Sequence, residues 1–307
     1  MANYLVTGGA GFIGSHISEE LLRRGHRVRV ADNFITGYRQ NLRDGVEFME
    51  GDCADPVFAR QIVAGIDYVV HQAAIPSVPR SVDQPLESHR ANVDGMLEML
   101  VASRESGVKR LVFAGSSSVY GDTEVLPKTE TMPTNPLSPY ALQKLMSEQY
   151  GQMFTRLYGF ETVTTRYFNV FGPRQDPGSP YSGVISLFIK ALHEGTRPMI
   201  YGDGEQTRDF TYVTNVVDGV IKAAETPGVG GEVFNVATNS RISLNELLAT
   251  LNHIFGTNTE AIFKEARQGD VRDSQADISK AAQLLGYKPI IGLEEGLRET
   301  VKWYTAS

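Results

Sequence analysis

Tyr140 and Lys144 are four positions apart, so on a helix they share one face. Ser138 and Pro139 precede them, and these residue types are favoured at the N-cap and at the first helical position. Tyr140 is therefore predicted to lie in the first turn of a helix. There the helix dipole and the Lys144 ammonium both favour a phenolate, which a tyrosine needs to act as a general base near neutral pH.

Ser116 follows the apolar segment 111–114, which is predicted to be a buried strand. A hydroxyl at the end of that strand can join the same site as the tyrosine and the lysine. A tyrosine and a lysine at this spacing are common on ordinary helices. The pair therefore needs support from a cofactor-binding motif elsewhere in the chain.

The segment 7–14 contains the glycine pattern Gly9-x-Gly11-x-x-Gly14, which lies between a predicted strand at 4–6 and a predicted helix. Glycine permits a tight turn and lets backbone N–H groups approach a pyrophosphate at the positive end of the helix. The pattern therefore predicts a bound dinucleotide. The simpler alternative is a glycine turn that binds no ligand.

Asp32 ends the second predicted strand, residues 28–32. Its distance from the glycines is typical of an acidic residue that accepts hydrogen bonds from ribose hydroxyls. A carboxylate at this position would repel a 2′-phosphate, which favours NAD over NADP. The alternative is a solvated aspartate at a strand end.

The composition is that of a globular protein rather than of a nucleic-acid-binding or membrane protein. The 307 residues have a formal net charge of −7, whereas phosphate binding along a nucleic acid needs a basic face. No apolar run approaches the roughly 18 residues that a membrane helix requires, and the N-terminal segment has no basic and apolar leader pattern. Cys53 is the only cysteine, so an intrachain disulfide cannot form, and the expected location is the cytoplasm.

Short apolar runs alternate with helical patterns through the first half of the chain. This alternation predicts a parallel sheet with helices on both faces, a Rossmann-type doubly wound α/β fold. We expect an NAD-binding domain over residues 1–170 and a smaller, partly interwoven α/β substrate domain over residues 171–307. A segment near 209–237 is expected to return to the first domain.

A loop-rich stretch marks the expected boundary, with its prolines and glycines at Pro173, Pro177, Gly178, Pro180 and Gly183. Beyond it, periodic apolar residues predict helices at 184–193, 216–224, 244–255, 278–285 and 293–304. A serine at 243 with a glutamate at 246 predicts a capping box for the third of these helices.

Several segments together resemble the extended short-chain dehydrogenase/reductases, over essentially the whole chain: 7–14, 32–33, 71–74, 116–121, 138–144 and 166–173. The most similar subgroup is the UDP-hexose 4-epimerases, above all those that accept N-acetylated sugars. The resemblance implies that Tyr140 removes the proton from the sugar O4 while C4 passes a hydride to tightly held NAD. It also implies that Ser116 hydrogen-bonds the reacting oxygen and that Lys144 holds the nicotinamide ribose. The 4-keto sugar then swings round and takes the hydride back on its other face.

The same resemblance implies a set of residues that contact NAD. They are Gly8, Gly11, Phe12, Ile13, Gly14, Asp32, Asn33, Gly37, Asp52, Cys53, Ala73, Ala74, Ile75, Asn92, Tyr140, Lys144 and Tyr167. His71 is expected to pack or cap at a strand end. No spacing of histidine, cysteine and carboxylate side chains suggests a metal site.

The resemblance also implies a set of residues that contact the UDP-sugar. They are Ser77, Ser117, Ser118, Asn169, Gln175, Gly183, Val184, Tyr201, Arg208, Arg272 and Ser274. The two arginines match positions that grip the diphosphate, for which planar guanidinium groups are suited. Without the matching segments around it, each of these arginines would be interpreted as an ordinary surface residue rather than as a diphosphate contact.

Ser118 and Ser274 bear on which reaction and which sugar the resemblance implies. Related dehydratases and decarboxylases have a glutamate at the position of Ser118, and epimerisation needs no carboxylate there. Ser274 matches a gate position that holds a tyrosine in strict glucose/galactose epimerases, and Gly183 lies on the facing wall. Small residues leave room for an N-acetyl group, whereas Pro76 departs from the glycine of some N-acetyl-specific relatives. Activity on both substrate classes is therefore expected.

Two other functions stay open. A UDP-uronate 4-epimerase would need a cation near the sugar carboxylate, and Arg80 and Arg174 are the candidates. A non-catalytic NAD-binding or nucleotide-sugar-binding regulator would be expected to lack the tyrosine or the lysine. By analogy with the family, the helices around 92–105 and 140–157 are expected to form a homodimer through a four-helix bundle.

Overall fold

The computed structural model describes residues 1–176, 183–266 and 271–306. Three residues of the predicted boundary loop, Pro177, Gly178 and Pro180, lie outside the described residues, as do Gly269 and Asp270 ahead of Arg272. None of the helices in the described part of the chain is long and apolar enough to cross a membrane.

A seven-stranded parallel sheet organises the described residues. In spatial order its strands are β11 (Val233–Val236), β6 (Glu161–Tyr167), β5 (Arg110–Ser116), β4 (Tyr68–His71), β1 (Asn3–Thr7), β2 (Arg27–Asp32) and β3 (Glu47–Glu50). The order runs outward in both directions from β1 and β4. This arrangement confirms the predicted doubly wound α/β fold.

Eleven α-helices are present in the described ranges. They are α1 (Phe12–Arg23), α2 (Pro56–Ile62), α3 (Val78–Asp83), α4 (Pro85–His89), α5 (Gly95–Glu105), α6 (Pro139–Tyr158), α7 (Val184–His193), α8 (Val213–Glu225), α9 (Leu244–Phe255), α10 (Ser279–Leu285) and α11 (Leu293–Ala306). Short strands form three two-stranded pairs, β7 (Val170–Phe171) with β10 (Thr211–Tyr212), β9 (Thr207–Arg208) with β12 (Ile242–Ser243), and β8 (Met199–Tyr201) with β13 (Ile262–Lys264).

The alternation of side chains along β1 divides the core between the two faces of the sheet. Tyr4 and Val6 pack with α1 and α8, whereas Leu5 packs with α2 and α5. All three are buried, and a fully buried apolar side chain of this size contributes about 1.5–3 kcal/mol. Both faces of the central strands are therefore covered, as their continuous apolar sequences require.

Helix α6 begins where the sequence predicts. The Ser138 hydroxyl accepts the Ala141 N–H at 3.1 Å, Pro139 is the first helical residue, and Gly159 ends the helix with φ of 67°. The predicted capping box is also present, because the Ser243 hydroxyl accepts the Glu246 N–H and the Glu246 carboxylate accepts the Ser243 N–H. Local residue types therefore determine where α6 begins.

Three features differ from the sequence-based expectation. The helix predicted from residue 92 begins with a π-helical turn at Arg90–Asp94, where the Asn92 amide turns inward to bind Ile75. Helix α8 begins at Val213 rather than at 216. Helices α3 and α4 were not predicted, since each is too short for a helical apolar period to be visible.

Strand β11 comes from the C-terminal part of the chain and lies beside β6, with Val233 opposite Thr164 and Val236 opposite Tyr167. Arg110 on β5 reinforces this connection. Its Nη1 donates to the carbonyls of Ala223, Ala224 and Thr226 at the end of α8, at 2.9, 3.1 and 2.6 Å. Basic groups at a helix C-terminus satisfy carbonyls that have no partner within the helix.

Candidate active site

The glycine loop between β1 and α1 can be formed only by glycine at its closest approaches. Gly8 has φ of +68°, and a Cβ at Gly14 would lie 2.2 Å from the Gly8 carbonyl oxygen. The N-cap of α1 is Gly11, which has no side chain. The N–H groups of the first turn therefore receive no side-chain cap from this residue. Such a loop, closed in on itself at a helix N-terminus, fits a pyrophosphate.

Asp32 lies at the end of β2, directly beside this loop. Its Oδ2 accepts the Ala10 N–H at 3.0 Å and its Oδ1 accepts the Phe34 N–H at 2.8 Å. Burial raises the pKa of Asp32, while the backbone hydrogen bonds to its carboxylate oppose that effect. A Cβ at Gly37 would meet both carboxylate oxygens at 3.0 Å, which explains the glycine there. Each oxygen keeps a lone pair for a ribose hydroxyl.

The segment after β4 is held against the same edge of the sheet. The Ala73 N–H donates to the Thr7 hydroxyl at 3.3 Å, and the Ile75 N–H donates to the Asn92 side-chain oxygen at 2.8 Å. The Asn92 amide nitrogen donates to the Ile75 carbonyl and to Gln143 Oε1. The Asn92 amide therefore positions this segment, and its predicted contact with the cofactor stays a prediction.

Asp52, Cys53 and Asn33 lie at the ends of the neighbouring strands, and each makes local contacts. Asp52 accepts the Ala54 N–H at 2.9 Å, and Asn33 accepts the Ile35 N–H at 3.2 Å. Burial raises the pKa of the Cys53 thiol to about 12, so the thiol stays protonated and unreactive. This agrees with its interpretation as a small buried residue.

Tyr140, Lys144 and Ser116 meet where α6 begins above the end of β5. The Ser116 hydroxyl lies close enough to the Tyr140 phenol to favour its ionised form, and the Lys144 ammonium lies 5.9 Å from the centroid of the Tyr140 ring. Lys144 is buried and its Nζ donates to the Ala114 carbonyl at 2.9 Å. The sequence therefore identified three groups, from two separate elements, that the fold brings together.

The electrostatics of these groups differ from the expectation. Burial raises the pKa of Tyr140, and the effect that opposes it is the hydrogen bond with Ser116. Burial also lowers the pKa of Lys144 to about 7. The expected lowering by Lys144 and the helix dipole is not the dominant effect, because the lysine donates to a carbonyl and the phenol is desolvated. Ser116 is therefore the group best placed to favour the phenolate.

Ser117 and Ser118 occupy the 3₁₀ turn Ser117–Tyr120 that follows β5. The Ser118 hydroxyl lies 2.8 Å from the Ser116 hydroxyl, and the Ser118 N–H donates to Ser116 Oγ at 3.2 Å. A carboxylate at 118 would therefore lie beside the Ser116 hydroxyl. The chain has a hydroxyl there.

Thr207 forms hydrogen bonds with three of the predicted substrate residues, Arg208, Arg272 and Ser274. Arg208 Nη1 donates to the Thr207 and Arg272 carbonyls, both at 2.9 Å, and the Ser274 N–H donates to the Thr207 carbonyl at 3.1 Å. Arg272 also pairs with Asp203 at 3.2 Å. The fold thus places both arginines and the gate serine around β9, and sequence reasoning missed the threonine that joins them.

The other predicted substrate residues lie at the ends of elements, and several are engaged within the protein. The Ser77 hydroxyl caps α3 by accepting the Arg80 N–H at 3.1 Å. The Gln175 amide donates to the Val170 carbonyl and accepts from Ser186 on α7, and its predicted contact with the sugar stays a prediction. The remaining substrate residues are at the N-cap and first residue of α7 (Gly183 and Val184), the end of β8 (Tyr201) and a turn with φ of +34° (Asn169). Tyr167, predicted to contact the cofactor, ends β6.

The sequence suggested Arg174 only as a candidate cation for a sugar carboxylate. In the structure Arg174 connects its own segment to α1. Its guanidinium donates to the Ser15 hydroxyl at 3.1 Å and forms an ion pair with Glu19, both on α1. Two residues after Arg174, Asp176 accepts a hydrogen bond from the Tyr38 hydroxyl at 2.6 Å. These contacts tie the segment 173–176 to the cofactor loop. No sequence pattern could have shown them, because the partners are more than a hundred residues apart.

His71 lies buried at the end of β4, where its Nδ1 is 2.8 Å from the Thr7 hydroxyl. Burial lowers its pKa to about 3, so the folded protein holds a neutral imidazole that the unfolded chain protonates below about pH 6.5. Between these values the unfolded chain binds one more proton. The free energy of unfolding should therefore fall as the pH falls, by up to about 1.4 kcal/mol per pH unit from this group.

Urea unfolding of the wild type and of His71→Gln from pH 7 to pH 4 measures this contribution. Glutamine removes the titrating group, so the variant should lose stability less steeply as the pH falls. A uniform loss of stability at every pH would reflect packing alone. Equal slopes for the two proteins would contradict the prediction.

Comparison with known proteins places the chain among sequences of related chemistry. The profile of the NAD dependent epimerase/dehydratase family matches residues 4–237. The structure of the UDP-glucose 4-epimerase of Thermotoga maritima with UDP-glucose is 39% identical, with a TM-score of 0.95 and coverage of 99% of both chains. The UDP-N-acetylglucosamine 4-epimerase of Methanobrevibacter ruminantium, in complex with UDP-N-acetylmuramic acid, is also 39% identical, with a TM-score of 0.95 and coverage of 99% of this chain and 98% of that chain.

A relative with a different reaction is the UDP-N-acetyl-alpha-D-glucosaminuronate decarboxylase of Bacillus cytotoxicus. It is 32% identical over 318 residues, which cover 98% of this chain and 97% of the relative. The glycine loop, Asp32 and the Tyr140–Lys144 pair fit the dinucleotide that the family uses. The chain therefore belongs to the NAD-dependent epimerase/dehydratase family, as an enzyme that uses NAD.

Proposed function

We propose that this NAD-dependent isomerase interconverts UDP-hexoses at C4, most favourably UDP-GlcNAc and UDP-GalNAc and also UDP-Glc and UDP-Gal. The observation that carries the proposal is the meeting of Ser116, Tyr140 and Lys144 at the same edge of the sheet as the glycine loop, with a hydroxyl at Ser118. Together with a dinucleotide that would accept the hydride, a base, a hydrogen-bond donor and a cation can support reversible oxidation of an alcohol. The absence of a carboxylate at 117 and 118 favours epimerisation over elimination.

Each residue has a distinct task in this mechanism. Tyr140, in its phenolate form, accepts the proton of the sugar O4 and later returns it, and Ser116 donates a hydrogen bond to the same oxygen while it has carbonyl character. Lys144 places positive charge beside the cofactor ribose and the phenol. Bound NAD would supply a hydride acceptor that becomes the donor for the return step. The 4-keto sugar turns over between the two steps, so no net oxidation occurs.

Turning the sugar over requires that the nucleotide stay fixed. Arg208 and Arg272, both held at Thr207, would grip the diphosphate with charge-assisted hydrogen bonds. The hexose then pivots about its bond to the phosphate, into space bounded by small residues. Gly183 and Ser274 are the two for which we propose this role.

The gate role of Ser274 predicts a change of substrate range. Ser274 is buried, and its N–H is held by Thr207, so a tyrosine there must extend into neighbouring space. Ser274→Tyr should abolish turnover of UDP-GlcNAc while sparing UDP-Glc, because only the acetamide needs that space. Product ratios measured with each substrate under the same conditions test this expectation.

Ser240→Tyr, on an exposed loop, is the matched control and should leave both activities unchanged. Equal loss of both activities in Ser274→Tyr would contradict the gate role. It would leave the epimerase assignment intact.

Separate incubation with UDP-Glc, UDP-GlcNAc and UDP-GlcA, followed by identification of the products, tests the function itself. Arg80 and Arg174 were the candidate cations for a uronate, and they pair with Glu87 and Glu19 respectively. This pairing favours a neutral hexose. Turnover of UDP-GlcA alone would replace the proposal with a uronate epimerase, and no turnover together with no reduction of bound NAD would indicate a regulator.

We also propose that the enzyme is a cytoplasmic homodimer and that its domains divide near residue 170. Support for the dimer comes from α6, which exposes Leu142, Met153 and Leu157 by 48%, 44% and 65%, at positions that share one helix face. Apolar residues grouped on one exposed face are typical of an interface. A bundle of α5 and α6 from two copies would cover them.

The double variant Met153→Asp with Leu157→Asp should therefore be monomeric in sedimentation velocity, because two buried carboxylates per copy oppose association. Leu284→Asp on α10, also an exposed leucine, should keep the wild-type state. A wild-type protein that sediments as a monomer would contradict the proposed dimer.

A further inference from the structure

The Ser81 hydroxyl links α3 to the catalytic tyrosine through its backbone. Ser81 is fully buried, and its oxygen accepts the Tyr140 N–H at 3.0 Å from 59 residues away in sequence. The hydroxyl hydrogen is directed to the Val78 carbonyl at 2.7 Å. The donor and acceptor sides of this serine are therefore both used, and its orientation is fixed.

The start of α6 has two N–H groups that need caps from outside the helix. Pro139 has no N–H, so the first free donors belong to Tyr140 and Ala141. The Ser138 hydroxyl accepts the Ala141 N–H at 3.1 Å, and Ser81 accepts that of Tyr140. The cap is thus shared between a serine that α6 provides and a serine that α3 provides.

Helix α3 follows the segment that the cofactor and sugar are proposed to contact. Residues Ala73 to Ile75 leave the sheet beside the glycine loop, and Ser77 caps α3 at its first turn. The N-cap Ser77 and Ser81 lie one turn apart in this six-residue helix. One hydrogen bond therefore connects this segment to the backbone of Tyr140.

We propose that Ser81 is a positioning residue that holds Tyr140 at the distance from Ser116 and Lys144 that proton transfer requires. The inference rests on the proposed function, because it concerns the same tyrosine. Ser81 does not touch the reacting atoms. Its effect is exerted through the first turn of α6, and a misplacement of about 1 Å in such a site is enough to cost up to about a hundredfold in rate.

Ser81→Ala and Ser138→Ala form a matched pair, because each removes one hydroxyl cap from the same helix turn. Both should lose similar stability in urea unfolding. Ser81→Ala should lower kcat by about tenfold or more with KM and bound NAD nearly unchanged, whereas Ser138→Ala should change kcat by no more than about threefold. Equal loss of kcat in the two variants would make Ser81 an ordinary helix cap and overturn the inference.

A second measurement does not depend on turnover. With tyrosine labelled at the ζ-carbon, the NMR signal absent from Tyr140→Phe reports the ionisation of Tyr140. Loosening its hydrogen bond with Ser116 should raise the pKa in Ser81→Ala and leave it unchanged in Ser138→Ala, with Lys144 present in both. If the wild type epimerises no UDP-hexose the proposed function fails, and this titration alone then decides the role of Ser81: an unchanged pKa in Ser81→Ala would refute it.

Discussion

Tyr140→Phe should reduce epimerisation by about 10²–10⁴-fold, the range that general acid–base catalysis contributes. The phenol is the group placed beside the Ser116 hydroxyl and within reach of Lys144, and phenylalanine removes only its oxygen. The ring packing and the backbone hydrogen bond to Ser81 are retained. Product formation from UDP-GlcNAc and UDP-Glc measures the effect, and the content of bound NAD should equal that of the wild type.

Tyr158→Phe is the matched control at the other end of the same helix. Tyr158 is about half exposed, and its ring lies against Arg104, a contact that phenylalanine keeps. This variant should have wild-type activity. If Tyr140→Phe kept more than about a tenth of wild-type kcat, another group would have to be the base, and the mechanism given above would be wrong.

Gly14→Ala should lose both bound NAD and stability. The added Cβ would lie 2.2 Å from the Gly8 carbonyl oxygen and 2.9 Å from Gly9 Cα, so the obstacle is backbone that cannot rotate away. Overpacking of this kind costs about 1–3 kcal/mol, and the loop must open to relieve it. Denaturant unfolding and the NAD content of the purified protein measure the two effects.

Gly95→Ala is the control. It shows whether replacing a helical glycine by alanine lowers stability in general or only where the added Cβ meets backbone atoms. The nearest atom to a Cβ at Gly95 is the Arg90 carbonyl oxygen at 3.7 Å, an ordinary contact, and alanine is the better helix former. This variant should be at least as stable as the wild type and should retain NAD. Normal NAD content in Gly14→Ala would show that the loop does not need to close on itself to bind the cofactor.

The parts of the site that were predictable depend on residues close together in sequence. Ser138 and Pro139 determine the start of α6, and the glycines at 8 and 14 determine the loop, because each acts on its immediate neighbours. The alternation of strands and helices likewise gave the doubly wound sheet. These signals do not need knowledge of what packs against them.

The parts that were not predictable depend on distant partners. Ser81 looks like any helix serine until the fold brings it to Tyr140, and Arg174 looks like a sugar-binding cation until Glu19 is found beside it. The sequence suggested a lowered pKa for Tyr140, whereas burial raises it, because charge spacing is visible in a sequence and burial is not. The hydrogen bonds of the Asn92 side chain with Ile75 and Gln143 were not visible for the same reason.

The position of β11 at the edge of the sheet has a consequence for how the protein is made. The ribosome completes β6 long before it reaches residues 233–236, yet β6 pairs with β11 on one side. Until then a nascent chain presents a row of unpaired backbone groups, which is a template for association with other strands. A fragment that stops near residue 170 should keep that open edge permanently and aggregate. During synthesis, pairing of β11 with β6 therefore competes with association of the exposed β6 edge with another chain.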